Sequence, residues 1–114
     1  MKELSLRPYN GRLFVAKSKK DYERQHLKVF KAADVLSCDQ DGRMAGGEGR
    51  DGVWTYLIWA KAAPQAAHEI SHVVLHTFER CGIDPRAAGG EPFCYMLSQL
   101  MLEWAFSKRN RHSL

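Results

Sequence analysis

Residues 53–82 read VWTYLIWAKAAPQAAHEISHVVLHTFERCG, and this stretch decides the fold class. Its first part, residues 53–60, is rich in aromatic and branched side chains and predicts a strand that lies centrally in a sheet or lines a cleft. Pro64 suits the first turn of a helix, and no breaker follows until Gly82, which suits the position just past a helix end. The stretch therefore predicts a strand followed closely by a long helix.

The residues before this unit predict another strand and another helix. Residues 12–17, RLFVAK, are short and rich in β-compatible side chains, which favours a strand. Ser18 and Asp21 then form an S-x-x-D start similar to a capping box, and apolar residues recur at helical spacing after it. This pattern predicts a first helix that ends before Val35.

The rest of the chain completes an α+β domain. Residues 34–38 predict a second strand, and residues 39–52 are so dense in Gly and Asp that they predict a long hairpin loop. The spacing of these aspartates does not match a calcium-binding loop, so we expect no calcium site. A third helix is predicted from Glu91 to Ser107. The expected fold is a small mixed sheet of about three strands packed on an active-site helix and a following helix.

Length and composition exclude several classes of protein. The 114 residues suit a single domain, residues 1–114, with residues 1–9 and 108–114 as flexible ends. Hydrophobic residues make up 45% of the chain, and no apolar run approaches the roughly 20 residues of a membrane helix. The first residues do not resemble a secretory signal, and the three cysteines lack CxxC spacing. A protein of the reducing cytoplasm is expected.

The formal net charge is +4, and much of the positive excess lies at the C-terminal end. A short basic tail is typical of a solvated, solubilising end. A nucleic-acid contact is the alternative function for such a tail, and it would make binding depend on salt. The residues concerned are Lys108, Arg109, Arg111 and His112.

The predicted second helix carries an H-E-x-x-H motif, His68 to His72. Residues four apart on a helix are about 40° apart around it and about 6 Å apart along it, so both imidazoles can bind one cation. Glu69 can approach a water molecule on that cation, which is the position of a general base in hydrolysis. A helical wheel puts both histidines opposite a mostly apolar face, so they are not core residues. That face contains Ile70, Val74, Thr77 and Cys81.

A catalytic zinc site usually has three protein ligands, so a third ligand is expected besides the two histidines. His76 and Glu79 lie too far along the same helix to reach the same ion. Glu91, at the start of the next helix, is the candidate ligand, and Tyr95 shares its face as a candidate oxyanion donor. The alternatives are that Glu91 complements the helix dipole and that Tyr95 is a packed aromatic residue.

The HExxH motif followed by Glu91 resembles the pattern of the gluzincins, a branch of the zincin metallopeptidases. It does not resemble the metzincins, which need Gly where this chain has Leu75 and His where it has Phe78. The stretches AAHEISHVVLHTFERCGID and GGEPFCYMLSQLM are also similar to small zincin-like proteins encoded by phages and prophages. The resemblance implies a minimal zincin-like domain in which residues 53–60 form the edge strand that holds an extended peptide.

The resemblance also implies a Zn²⁺ cofactor and a set of site residues. Known gluzincins carry further subdomains that wall the substrate cleft, and this chain has almost none. The base would activate water for attack on a carbonyl and then pass its proton to the leaving nitrogen. The implied zinc ligands are His68, His72 and Glu91, the implied base is Glu69, and the implied oxyanion donor is Tyr95 or His76.

These expectations define a first function and two alternatives. The first is a zinc-dependent metallopeptidase that hydrolyses a protein or peptide substrate in the cytoplasm of a bacterial host. The second is a non-catalytic zincin-fold phage protein that binds a host or virion protein, as an inhibitor of host defence or a virion component. The third is a nucleic-acid-associated protein that uses Arg109 and Arg111. Glu69 favours the enzyme, because a purely structural zinc site needs no base there.

Overall fold

The structure, a computed structural model, describes residues 1–49 and 51–112. None of the helices in this part of the chain is both long enough and apolar enough to cross a membrane. The side chains of Arg109, Arg111 and His112 and residues 113–114, all in the predicted basic tail, lie outside this description. In chain order the elements are β1 (Lys2–Leu4), β2 (Arg12–Val15), α1 (Lys19–Phe30), β3 (Gly42–Glu48), β4 (Trp54–Ala60), α2 (Ala63–Arg80), a 3-10 turn (Ala87–Gly90) and α3 (Glu91–His112).

The strands form one mixed sheet of four strands in the order β1-β2-β4-β3. β2 and β4 run parallel, with Leu13 opposite Tyr56, whereas β1 and β3 run antiparallel to their neighbours. β4 is therefore a central strand, as its composition predicts, and the expectation that it forms a peptide-binding edge is wrong. That edge belongs to β3, because β3 pairs with the outer side of β4.

Helices cover both faces of the sheet, which gives a mixed α+β domain. Successive side chains of a strand point to opposite faces. Tyr56 and Ile58 of β4 therefore join the core beneath α2 and α3, whereas Leu57 and Trp59 join the core beneath α1. The side of α2 that packs on the sheet and on α3 carries its buried residues: Ala66, Ile70, Val73, Val74, Thr77 and Phe78.

The two strongest sequence patterns, β4 and α2, lie close to their predicted bounds. α2 has Pro64 in its first turn and ends two residues before Gly82, whose φ of 70° is left-handed. The wheel prediction is correct for Ile70 and Val74, but Cys81 lies beyond the helix end and is exposed. Local sequence thus determines the bounds of β4 and of α2, the helix that carries the HExxH motif.

The predicted strand at residues 34–38 does not form. Its polar groups bond to α1 instead of to a neighbouring strand: the Tyr22 hydroxyl donates to Asp34 Oδ2 at 2.7 Å, and the Leu36 N–H donates to Glu23 Oε2 at 2.7 Å. Because side chains of α1 satisfy these groups, the segment needs no strand partner.

The predicted hairpin loop at residues 39–52 contains β3, apart from residue 50, which lies outside the description. Gly52, with a left-handed φ of 80°, lies in the connection to β4 as a turn former, whereas Gly42 and Gly46 have a packing role within β3. A Cβ on Gly46 would lie 3.0 Å from the Tyr56 ring, and one on Gly42 would lie 2.9 Å from Glu69 Oε2. Glycine therefore permits the close approach of β3 to aromatic and acidic side chains.

Both ends that were expected to be flexible contain regular structure. Residues 1–9 include β1, and their Leu4 and Leu6 side chains are 1% and 2% exposed. α3 continues past Ser107 to His112, and Lys108 Nζ donates to the Lys61 carbonyl at 3.0 Å. This contact joins the C-terminal part of α3 to the segment between β4 and α2.

Two aspartates, Asp21 in the first turn of α1 and Asp34 after its end, should make the stability of the fold depend on pH. Burial alone would raise the pKa of Asp21, but hydrogen bonds from the Lys17 N–H, Gln25 and Arg24 outweigh it and hold that pKa below its ordinary value. Burial would likewise raise the pKa of Asp34, and the Tyr22 and Arg43 hydrogen bonds lower it.

Because the unfolded chain has the higher pKa values, it binds more protons than the folded chain in acid. We expect the free energy of unfolding contributed by these groups to be fully present above about pH 5 and to fall as the pH drops through about 4. Urea titrations over this pH range measure it. Asp21→Asn should be less stable near neutral pH and lose less stability in acid; an equal acid loss in both proteins would exclude the role of Asp21.

Candidate metal centre

His68 and His72 meet on the solvent side of α2. Their Nε2 atoms are 3.2 Å apart, and their rings are nearly perpendicular, with centroids separated by 4.7 Å. Both side chains are exposed, because the opposite side of the helix packs on the sheet and on α3. The part of the predicted geometry that depends on helical spacing alone is therefore present.

The distance between the two nitrogens fits two ligands of one tetrahedral zinc ion. Zinc–nitrogen bonds of about 2.0–2.1 Å at a tetrahedral angle hold two nitrogens about 3.3 Å apart. The same 3.2 Å separation also fits a hydrogen bond in which one neutral imidazole donates its Nε2–H to the other. The pair can thus bind a cation or share a hydrogen in its absence.

Glu69 lies on the side of α2 that faces β3. Its carboxylate packs against Gly42, where a Cβ would be 2.9 Å from Oε2 and 3.3 Å from Cγ. The side chain is half-buried, whereas His68 beside it in sequence is exposed. Glu69 therefore lies between the exposed histidine pair and the edge strand, which is a suitable place for a base that acts on a group held along β3.

The structure does not bring Glu91 to the histidine pair. α3 begins beside the end of α2, where the Phe78 and Phe93 rings pack edge to face with centroids 5.8 Å apart. Phe78 lies ten residues after His68, which corresponds to about 15 Å along the helix. Glu91 is exposed near that distant end, so the structure gives no support to a role as third ligand.

No other residue of residues 1–49 and 51–112 takes the place of Glu91. No three His, Cys, Asp or Glu side chains among them converge so that they could hold a metal ion. Tyr95 is 76% exposed, and it follows Glu91 by one turn of α3. It is therefore also far from the histidine pair, and its predicted part as an oxyanion donor has no support from its position.

His76, the other candidate oxyanion donor, is held firmly by β4. Its Nδ1 lies 2.7 Å from the Tyr56 hydroxyl, and its ring stacks on Trp54 with centroids 5.3 Å apart and an interplanar angle of 20°. Tyr56 is fully buried, so β4 fixes the imidazole from below. The sequence offered no sign of this contact, because a tyrosine is an ordinary residue in a strand.

Arg80 joins the same network from the last turn of α2. Its Nε donates to the Tyr56 hydroxyl at 3.2 Å, and its two terminal nitrogens donate to the side-chain and main-chain oxygens of Asn10, each at 2.7 Å. All three acceptors are neutral. None of the ion pairs within the described residues includes Arg80. Sequence reasoning missed this residue altogether.

Tyr56→Phe should destabilise the fold, since it removes the hydroxyl that Arg80 and His76 share. Leaving buried polar groups without a partner costs about 1–3 kcal/mol, and we expect a loss of that size in the free energy of unfolding. Denaturant titration measures it. Tyr95→Phe removes the same atom from an exposed ring and should change stability by less than about 0.5 kcal/mol. Equal stability of the two variants would contradict the bonding role of the Tyr56 hydroxyl.

No protein-family model matches the chain, and no curated protein or solved structure is significantly similar to it. The assignment of this site therefore rests on the geometry of His68, Glu69 and His72.

Proposed function

We propose that the chain is a zinc-dependent hydrolase of peptide bonds, in which His68 and His72 bind the metal and Glu69 is the general base. The observation that carries this proposal is the 3.2 Å separation of the two exposed Nε2 atoms, which suits two ligands of one zinc ion. When bound, zinc supplies a Lewis acid that polarises a carbonyl and lowers the pKa of water.

Glu69 has the chemistry and the position for the proton transfers. Its carboxylate accepts a proton from the attacking water and then gives that proton to the leaving nitrogen. Contact with Gly42 limits the movement of the side chain and keeps it beside the edge strand. The carboxylate is thus oriented without being buried in the core.

The position of β3 supports an extended peptide as the substrate. β3 pairs with β4 on one side only, within the described chain, so the other side of its backbone is available to a further strand. An extended peptide can add to such an edge through main-chain hydrogen bonds. A peptide held there would pass Glu69 at the Gly42 end of β3.

Two protein ligands are fewer than the three that catalytic zinc sites usually have, so we expect moderate zinc affinity. Equilibrium dialysis against zinc, with elemental analysis of the protein, tests the metal site. We expect equimolar zinc, release by a chelator, and cleavage of a mixed peptide library that stops on chelation and resumes when zinc is restored. A folded chain that takes up no zinc, or cleavage that a chelator leaves unchanged, would exclude this function.

The missing third ligand favours one other function, a protein-binding domain without catalysis. The two imidazoles would then be joined by a hydrogen bond, and the open edge of β3 would bind a host or virion protein. The same dialysis distinguishes the two proposals. A folded chain with neither zinc nor hydrolysis supports the binding domain, whereas zinc-dependent cleavage excludes it.

A further inference from the structure

Arg80 is a half-buried cation whose hydrogen-bond acceptors are all neutral. The Tyr56 hydroxyl and two oxygens of Asn10 orient its guanidinium, and none of the described carboxylates pairs with it. A charge withdrawn from water is costly without an opposite charge, and a carboxylate is the partner that suits a guanidinium in shape and charge. The site therefore favours an anion.

The hydrogen bonds around the Tyr56 hydroxyl allow His76 to donate from Nε2. A guanidinium only donates, so the Tyr56 hydroxyl accepts from Arg80 and has one hydrogen to give, with His76 Nδ1 at 2.7 Å and Thr77 Oγ1 at 3.4 Å as its neighbours. With that hydrogen on the shorter contact, neutral His76 carries its proton on Nε2. Stacking on Trp54 fixes the plane of the ring. The Nε2–H is a second oriented donor near Arg80.

His76 and Arg80 lie on the same side of α2 as Glu69, seven and eleven residues further along the helix. From the midpoint between the two zinc-binding histidines, His76 lies about 9 Å along the helix axis and Arg80 about 15 Å. An extended peptide advances about 3.3 Å per residue, so about three residues reach His76 and about five reach Arg80.

Building on the proposed function, we infer that His76 and Arg80 bind the C-terminal carboxylate of the peptide substrate. The chain would then remove short fragments of about three to five residues from free C-termini. Hydrolysis breaks one amide C–N bond and consumes one water, whose hydroxyl goes to the carbonyl carbon and whose proton goes to the nitrogen. His76 and Arg80 act as positioning residues in this reaction, because they hold the substrate end and not the reacting bond.

Binding without zinc tests this inference separately from catalysis. N-acetyl-tetraalanine, as the free acid and as the C-terminal amide, is titrated by calorimetry into the chain after treatment with a chelator. We expect the free acid to bind at least about tenfold more tightly than the amide, the size of one charge-assisted hydrogen bond. Arg80→Gln should reduce that ratio to less than about twofold. Arg86→Gln removes the same charge from a side chain that is 92% exposed and should retain the ratio.

Arg80→Gln also removes the hydrogen bonds to Asn10, which contribute to folding. A second variant therefore separates binding from folding. His76→Gln leaves the Arg80 bonds to Asn10 in place and should lower the preference for the free acid about threefold, with unchanged circular dichroism. Equal binding of acid and amide, no binding of either, or an unchanged ratio in both variants would overturn the inference.

Two outcomes distinguish this inference from the proposed function. A preference for the free acid without zinc-dependent cleavage would support the carboxylate site and exclude the peptidase. Equal zinc-dependent cleavage of acid and amide peptides would support the peptidase and exclude the carboxylate site.

Discussion

Glu69→Gln should lose peptide hydrolysis while it keeps zinc. Glutamine has nearly the same shape as glutamate and can maintain the contact with Gly42, but it cannot accept the proton of the attacking water. General-base catalysis contributes about 10²–10⁴-fold, so we expect kcat to fall by about that factor. Zinc affinity should change little, because the two proposed ligands are His68 and His72.

The control for this substitution is Glu79→Gln, which removes the same charge from an exposed position on α2. It should keep both zinc and hydrolysis. The measurements are kcat on a cleaved peptide and the zinc dissociation constant of each variant. If Glu69→Gln lost zinc as strongly as a histidine variant, Glu69 would be a ligand and the assignment as base would be wrong.

Local patterns determined the parts of the fold that the sequence predicts well. The composition of β4 and the uninterrupted run of α2 depend on residues close in sequence, and both elements lie near their predicted bounds. The 3.2 Å approach of His68 to His72 follows from the same local rule, because residues one turn apart on a helix are neighbours. This half of the site needed no tertiary information.

The parts that failed depend on tertiary contacts. The glycines of β3 indicate turns by themselves, and only the approach of Tyr56 and Glu69 explains their place in a strand. Glu91 satisfied the spacing of the gluzincin motif. The direction in which α3 returns along α2 decides its position, and that direction depends on packing such as the contact between Phe78 and Phe93.

The network of Tyr56, His76 and Arg80 was missed for a similar reason. A tyrosine in a strand is an ordinary β-former, and an arginine in the last turn of a helix is an ordinary complement to its dipole. Each residue has a sufficient local explanation, so neither indicates a site. Only the sheet that places Tyr56 beneath α2 joins them to His76.

His72→Ala should abolish stable zinc binding, whereas Glu91→Ala should leave it unchanged. Loss of a hydrogen-bonding partner of a metal ligand typically costs 10–100-fold in affinity, so we expect loss of one of two ligands to cost more than about 100-fold. Glu91 lies near the far end of α2 and should contribute nothing. Competition with a chromophoric chelator measures each dissociation constant, and His26→Ala on α1 controls for the loss of an imidazole.

Zinc binding by these two variants decides between two ligand sets. One contains only His68 and His72, and the other adds Glu91, as the gluzincin motif predicts. The gluzincin pattern predicts weaker zinc binding in both His72→Ala and Glu91→Ala. The structure, with Phe93 at the end of α2 remote from His68, predicts it in His72→Ala alone. Weaker binding in Glu91→Ala would mean that α3 moves toward the histidines when zinc binds. Unchanged binding would exclude Glu91 as a ligand. A site with only His68 and His72 as protein ligands then requires water or substrate at the other coordination positions.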